Sequence, residues 1–112
     1  MSAALAKKMD EIRGKAGVRS SDIAQILDTT PQTVSRWQSG KVEPHGDRLK
    51  RLLTLAWLAE ELSEFYSPEE ARLWLFTPHR LLNGESPAER IRKDQLDDVR
   101  ALIAQIRDGA YV

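Results

Sequence analysis

Four of the five prolines in this chain directly follow a serine or threonine: Thr30-Pro31, Ser67-Pro68, Thr77-Pro78 and Ser86-Pro87. That pairing limits the available folds more than any other feature. A Ser or Thr hydroxyl accepts a hydrogen bond from the free N–H groups that open a helix. Proline suits the first helical position, where its missing N–H costs nothing. Two of the pairs add a glutamate three residues after the cap, Ser67 to Glu70 and Ser86 to Glu89, the pattern of a reciprocal capping box. The pairs therefore predict helix starts near residues 31, 68, 78 and 87, with Asn83-Gly84 ending the helix begun at 78. Strands need runs of β-branched or aromatic residues with a period of two, and no useful run is present. The expectation is an all-α chain of short, sharply bounded helices.

Apolar spacing supplies the remaining elements. Leu5, Met9, Ile12 and Ala16 predict a first helix over about 3–14, loosened at its end by Gly14 and Gly17. Ser20 or Ser21 caps a second, about 21–28. Residues 47–66 form the longest helical segment, and Leu49, Leu52, Leu53, Leu55, Ala56, Trp57, Leu58, Ala59 and Leu62 wrap most of its circumference. Such a helix must be covered on more than one side. The upstream helices can take one side; the C-terminal half, a second copy of the chain, or both must take the other. A last helix is expected over about 94–108, opened by Asp94 and closed by Gly109, with Leu96, Val99, Leu102, Ile103 and Ile106 as its buried stripe.

The stretch from Thr29 to Gly40 reads as the second helix of a helix-turn-helix. Ile23, Ala24 and Leu27 line the helix before it, and Asp28-Thr29 makes the turn. Val34 and Trp37 share the apolar face, whereas Gln32, Ser35, Arg36 and Ser39 lie on the opposite one. A short helix with an outer row of Gln, Ser and Arg suits a DNA major groove. Gln32 and Arg36 are the base-edge candidates, since Gln pairs with adenine and Arg with guanine. Thr33, Ser35, Ser39 and Lys41 are candidates for phosphate contacts, with Arg48, Lys50 and Arg51 extending that surface. The alternative is an ordinary helical hairpin with no DNA contact.

Charge supports a division of labour. The formal net charge of the whole chain is zero, with 17 Lys and Arg against 17 Asp and Glu. Residues 1–51 hold ten Lys and Arg against six Asp and Glu, a net of +4; residues 52–112 hold seven against eleven, a net of −4. The front half can meet phosphates, and the back half suits a basic protein surface. So modest a basic surplus implies weak, salt-sensitive DNA binding by one copy, and tight binding by two.

Several chemistries find no support. Cysteine is absent, which removes disulfides and thiol catalysis and fits a cytoplasmic protein. No apolar run is long enough to span a membrane, and the first ten residues do not read as a secretory signal. His45 and His79 lie in no metal-ligand pattern, and there is no glycine-rich phosphate loop or nucleophile elbow. Trp37, Trp57 and Trp74 are expected to pack the core. Neither an enzyme nor a cofactor is expected.

The region of the helix-turn-helix, with its spacing of Ala24, Val34 and Trp37, resembles domains of the Xre (phage-repressor-like) type. Many members have glycine where Asp28 stands, and Asp tolerates a left-handed backbone better than most residues. The C-terminal half is similar to the toxin-binding domain of the MbcA/Xre/ParS-type antitoxins, closest to the short MbcA-like members. The residues that carry this are Trp74-Leu75-Phe76-Thr77-Pro78-His79-Arg80-Leu81-Leu82-Asn83-Gly84-Glu85-Ser86-Pro87, then Val99, Leu102, Ile106 and Gly109. Together the two likenesses cover about residues 18–112.

The resemblance implies an Xre-like helix-turn-helix over residues 1–46, a central linking helix over 47–66 and a toxin-binding domain over 67–112. It implies an antitoxin encoded beside a RES-domain toxin that consumes NAD. Such antitoxins bind the toxin directly, with their C-terminus entering or covering its active-site cleft. They are usually dimers, form larger assemblies with toxin, and in many members repress their own operon by binding operator DNA. The toxin-binding residues would be Arg80, Arg107, Asp108, Gly109, Ala110, Tyr111 and Val112. Tyr111 offers an amphipathic anchor, Val112 an apolar one with a carboxylate, and Arg107 and Asp108 ion pairs across the interface. The other reading is a stand-alone transcriptional regulator whose C-terminal half only dimerises.

Overall fold

Local capping and apolar spacing account for most element boundaries in the computed structural model, which describes residues 2–109, with side-chain surroundings from Ala4 onward. The described residues form seven α-helices: α1 (Ser2–Ala16), α2 (Ser20–Leu27), α3 (Pro31–Ser39), α4 (Gly46–Ser63), α5 (Pro68–Phe76), α6 (Pro87–Arg92) and α7 (Leu96–Arg107). A single 3-10 turn, Arg80–Leu82, lies between α5 and α6. The all-α class is the one expected. No helix among the described residues is long and apolar enough to cross a membrane.

The caps behave as local chemistry dictates where the next turn can form. Thr30 accepts from the Thr33 N–H at 3.2 Å, and Ser67 accepts from the Glu70 N–H at 3.2 Å. Glu70 returns the bond to the Ser67 N–H at 2.9 Å, completing the box. At Ser86 only half a box forms. The hydroxyl takes the Glu89 N–H at 3.1 Å, but the Glu89 carboxylate turns to the Arg92 guanidinium at 2.7 Å. A charged donor outbids the neutral backbone N–H.

Three expected helix starts move. No helix begins at Pro78. Instead His79 bridges back to Glu85, its N–H donating to the Glu85 carbonyl at 2.9 Å, and the chain closes one 3-10 turn that buries Leu82. The five residues before Asn83-Gly84 are too few to nucleate an α-helix. Asn83 then takes the left-handed conformation at φ 57°. The last helix starts at Leu96, not Asp94. Asp94 sits at φ 62°, and its carboxylate binds Arg51 at 3.0 and 3.1 Å instead of capping. Neither Ser20 nor Ser21 caps α2; Arg19 holds that position and donates its N–H to Asp22 at 2.9 Å.

α4 runs through the middle of one continuous apolar cluster. It supplies Leu52, Leu55, Leu58, Ala59 and Leu62, against Met9 and Ile12 of α1, Ile23 and Leu27 of α2, Leu75 of α5, Ile91 of α6 and Val99 and Ile103 of α7. The front and back halves thus share a core. Trp37 is buried and Trp74 packs against the cluster, but Trp57 stays 40% exposed, contrary to expectation. It lies on the side of α4 that neither α1 nor α7 covers.

Two part-buried ion pairs tie the halves together, beside the exposed pair of Lys15 with Glu60. The Arg72 guanidinium of α5 forks onto the Asp22 carboxylate of α2 at 3.0 and 3.1 Å, and Arg51 of α4 joins Asp94 to the end of α2, donating to the Leu27 carbonyl at 3.2 Å. Burial alone would push the Asp22 carboxyl up, but the bonds from Arg72 and the Arg19 N–H outweigh it and hold the group below its ordinary 3.8. Its stabilising contribution is therefore complete above that value and disappears as pH falls through the depressed one. Asp22→Ala is expected to lower stability by about 2 kcal/mol near neutral pH, through loss of the buried acceptor. From about pH 4 downward the difference from the parent chain should narrow. Urea midpoints of both chains across that range measure it.

Candidate functional site

Two surfaces carry the residues singled out by sequence. The first is the outer face of α3. Thr30 and Pro31 start the helix, and Gly40, at φ 80°, ends it, with the Lys41 N–H donating to the Arg36 carbonyl at 3.0 Å. Asp28 takes the left-handed conformation at φ 60°, so the chain turns sharply from α2 towards α3. Val34 and Trp37 are buried, which sets the rotation of α3 about its axis. Gln38 sets its tilt, its amide donating to Asp10 at 3.2 Å and to the Ala6 carbonyl at 3.3 Å in α1.

That rotation leaves Gln32, Ser35, Arg36, Ser39 and Lys41 together and exposed, with Thr33 half-buried at the edge. Thr33 shares a 3.0 Å hydrogen bond with the Thr30 hydroxyl, and the Ser39 hydroxyl donates to the Arg36 carbonyl at 3.1 Å. Arg48 and Arg51 do not extend this face. Arg48 donates twice to the Asp28 carbonyl, at 2.9 and 3.3 Å, and Arg51 is held by Leu27 and Asp94. Both guanidiniums satisfy the free carbonyls where α2 ends, as cations at helix C-termini do. They fix the turn and leave Arg36 and Lys41 as its forward cations. Sequence spacing held no signal for this, because their partners lie 20 and more positions away.

The second surface surrounds the end of α7. Arg107 pairs with Glu61 and, at 3.2 Å, with Glu64, both at the end of α4. Its guanidinium also stacks over the Phe65 ring, 5.4 Å from the centroid. Glu61 first and then Glu64 reinforce its positive charge. Arg107 thus acts within the chain, pinning the last turn of α7 to α4. Asp108 caps that turn and Gly109 follows at φ 73°, both exposed. Ala110, Tyr111 and Val112 lie outside the described residues. Arg80 is exposed on the 3-10 turn.

Arg90, which sequence analysis did not single out, organises the loop beside it. It donates to the Leu82 carbonyl and to Glu85, each at 2.7 Å, and pairs with Asp98 of α7. Lys93 joins at Glu85, and Lys93 and Arg90 together hold the Glu85 carboxyl below the usual range.

The two surfaces sit at opposite ends of α4. Arg48 touches the turn before α3, whereas Glu61 holds the end of α7, and a helix rises 1.5 Å per residue, so roughly 20 Å separates them. Among the described residues no group of three or more His, Cys, Asp or Glu is placed to hold a metal ion.

The chain is 34% identical over 98 residues to the mycobacterial cidal antitoxin MbcA of Mycobacterium tuberculosis H37Rv, covering 88% of this chain and 87% of that protein. It belongs to the Xre/MbcA/ParS antitoxin family. Residues 56–109 of this antitoxin match the family described as the antitoxin Xre/MbcA/ParS C-terminal toxin-binding domain. That span takes in the second half of α4, the Arg90 loop and all of α7. A probable mycobacterial cidal antitoxin of the same strain is also 34% identical, over 86% of this chain and 82% of its own. In structure the antitoxin superposes with a TM-score of 0.84 and 32% identity on a chain of the M. tuberculosis MbcT–MbcA toxin–antitoxin complex, covering 96% of this chain and 97% of that one.

Proposed function

We propose that this antitoxin of a toxin–antitoxin pair neutralises a cognate RES-domain toxin that degrades NAD, by direct binding in which the residues beyond Arg107 cover the toxin's active site. The observation that carries the reading is the match of nearly the whole chain to a chain of a toxin–antitoxin complex. Residues 67–112 form the toxin-binding part, residues 47–66 the linking helix, and residues 1–46 a DNA-binding part that represses the antitoxin's own operon in the cytoplasm. Two copies pair to place two α3 helices on two half-sites. Larger assemblies form with the toxin.

The physics supports each element. The end of α7 is braced by Arg107 against Glu61 and Glu64, so the helix that presents the chain end loses little freedom on binding. The exposed row from Gln32 to Lys41 presents amide, hydroxyl and cationic groups on one short helix. The distance along α4 lets both surfaces be occupied together.

Co-purification with the protein encoded next to it, followed by an NAD-consumption assay with and without antitoxin, tests the reading. The expected result is a stable complex and loss of NAD consumption. A neighbour without NAD-degrading activity overturns the toxin assignment. Arg36→Ala should weaken operator binding by roughly tenfold, the loss of one bidentate base contact, and leave neutralisation intact. Gel-shift titrations and the NAD assay read the two effects separately, and a fall in neutralisation would refute the division of labour.

A further inference from the structure

Leu53 and Trp57 lie one turn apart on α4 and remain 45% and 40% exposed, in a helix whose other apolar side chains are buried or half-buried. They form a ridge between two shallow recesses. On one side α1 contributes Lys8, Glu11 and Lys15; on the other α7 contributes Leu96 and Arg100. Paired large apolar side chains on a rigid helix mark a protein contact surface.

The charges along this ridge are arranged about its midpoint. Lys50 stands five residues before Leu55 and Glu60 five residues after, while Leu53 and Trp57 stand two before and two after. Two copies of α4 crossing antiparallel at the level of Leu55 would set Leu53 of each against Trp57 of the other, and Lys50 of each against Glu60 of the other. Parallel crossing would instead oppose lysine to lysine and glutamate to glutamate. The Lys50 ammonium meets no carboxylate among the described residues, and the Glu60 side chain, though paired with Lys15, is still 58% exposed. A surface that complements itself under a twofold rotation is what a symmetric pair requires.

We propose that the Leu53–Trp57 ridge of α4 is the interface with a second copy of this chain, in the antiparallel register that pairs Lys50 with Glu60. The inference rests on the pairing of two copies stated above, and adds the face and the register. It does not depend on the toxin or on DNA.

Sedimentation of the full chain over a range of concentrations tests it, with circular dichroism to check helix content. The parent chain is expected at twice its monomer mass. Trp57→Asp and Leu53→Glu should each return it to monomer mass with unchanged helix content. Lys50→Glu, which creates two like-charge contacts per dimer, should raise the dissociation constant at least about tenfold, and adding Glu60→Lys should restore it. A parent chain that is monomeric at every concentration overturns both the pairing and the face. A dimer that survives Trp57→Asp and Leu53→Glu leaves pairing intact and overturns the face. Failure of the Lys50→Glu, Glu60→Lys chain to recover overturns the register. A monomeric chain whose Trp57→Asp variant fails to bind toxin assigns the ridge to that other protein and overturns the proposal.

Discussion

Under the proposed function, ending the chain after Gly109 is expected to raise the antitoxin concentration needed to stop the toxin's NAD consumption on the order of 100-fold, the cost of removing an anchor from an interface. The fold should survive. The described core runs from Met9 to Ile103, and the last turn of α7 is held by Arg107 on Glu61 and Glu64, all within residues that remain. The melting midpoint should therefore stay within about 2 °C of the parent chain. Titrating truncated and full chains against toxin measures the first effect, and a thermal melt measures the second. Undiminished inhibition by the truncated chain would remove the terminal residues from the mechanism. A matching loss of melting temperature would show that they serve the fold instead.

Gly17→Ala is expected to be strongly destabilising. Gly17 ends α1 at φ 63°, a conformation that costs other residues about 1–2 kcal/mol. A Cβ there would lie 2.6 Å from the Pro68 carbonyl oxygen and 3.0 Å from its carbon. Both atoms are backbone at the start of α5, which Ser67 and Glu70 hold by their reciprocal cap, so the neighbour cannot yield cheaply. Strain and displacement together should cost about 3 kcal/mol or more, and lower the melting midpoint by roughly 10 °C in a chain of this size. Gly14→Ala is the control. Nothing lies within 4 Å of a Cβ at Gly14, which is inside α1, and that change should stabilise by about 0.5–1 kcal/mol. If Gly17→Ala melted like the parent, α1 and α5 would not be in the close contact seen here.

The sequence by itself determined what depends on neighbours three or four residues apart. Thr30-Pro31 and Ser67-Pro68 start helices because the hydroxyl that accepts and the N–H that donates belong to the same turn. Asp28 was readable as the turn residue, and Val34 with Trp37 as the buried side of α3, because helical periodicity alone separates them from Gln32, Ser35 and Arg36. The likeness to known antitoxins was also legible, in the ordered run from Trp74 to Pro87 and the apolar helix after it.

Only the tertiary structure decided contacts between residues far apart in the chain, where a partner at long range displaced the local one. Asp94 binds Arg51 and so does not cap α7; Arg48 and Arg51 close the end of α2 and so do not face outward; Arg107 braces α7 on α4. Gly17 must be glycine because α5 passes over it, and Trp57 is exposed because no described element reaches that side of α4. A cap forms within one turn whatever surrounds it, but an ion pair or a close crossing exists only when the fold has already brought two distant segments together.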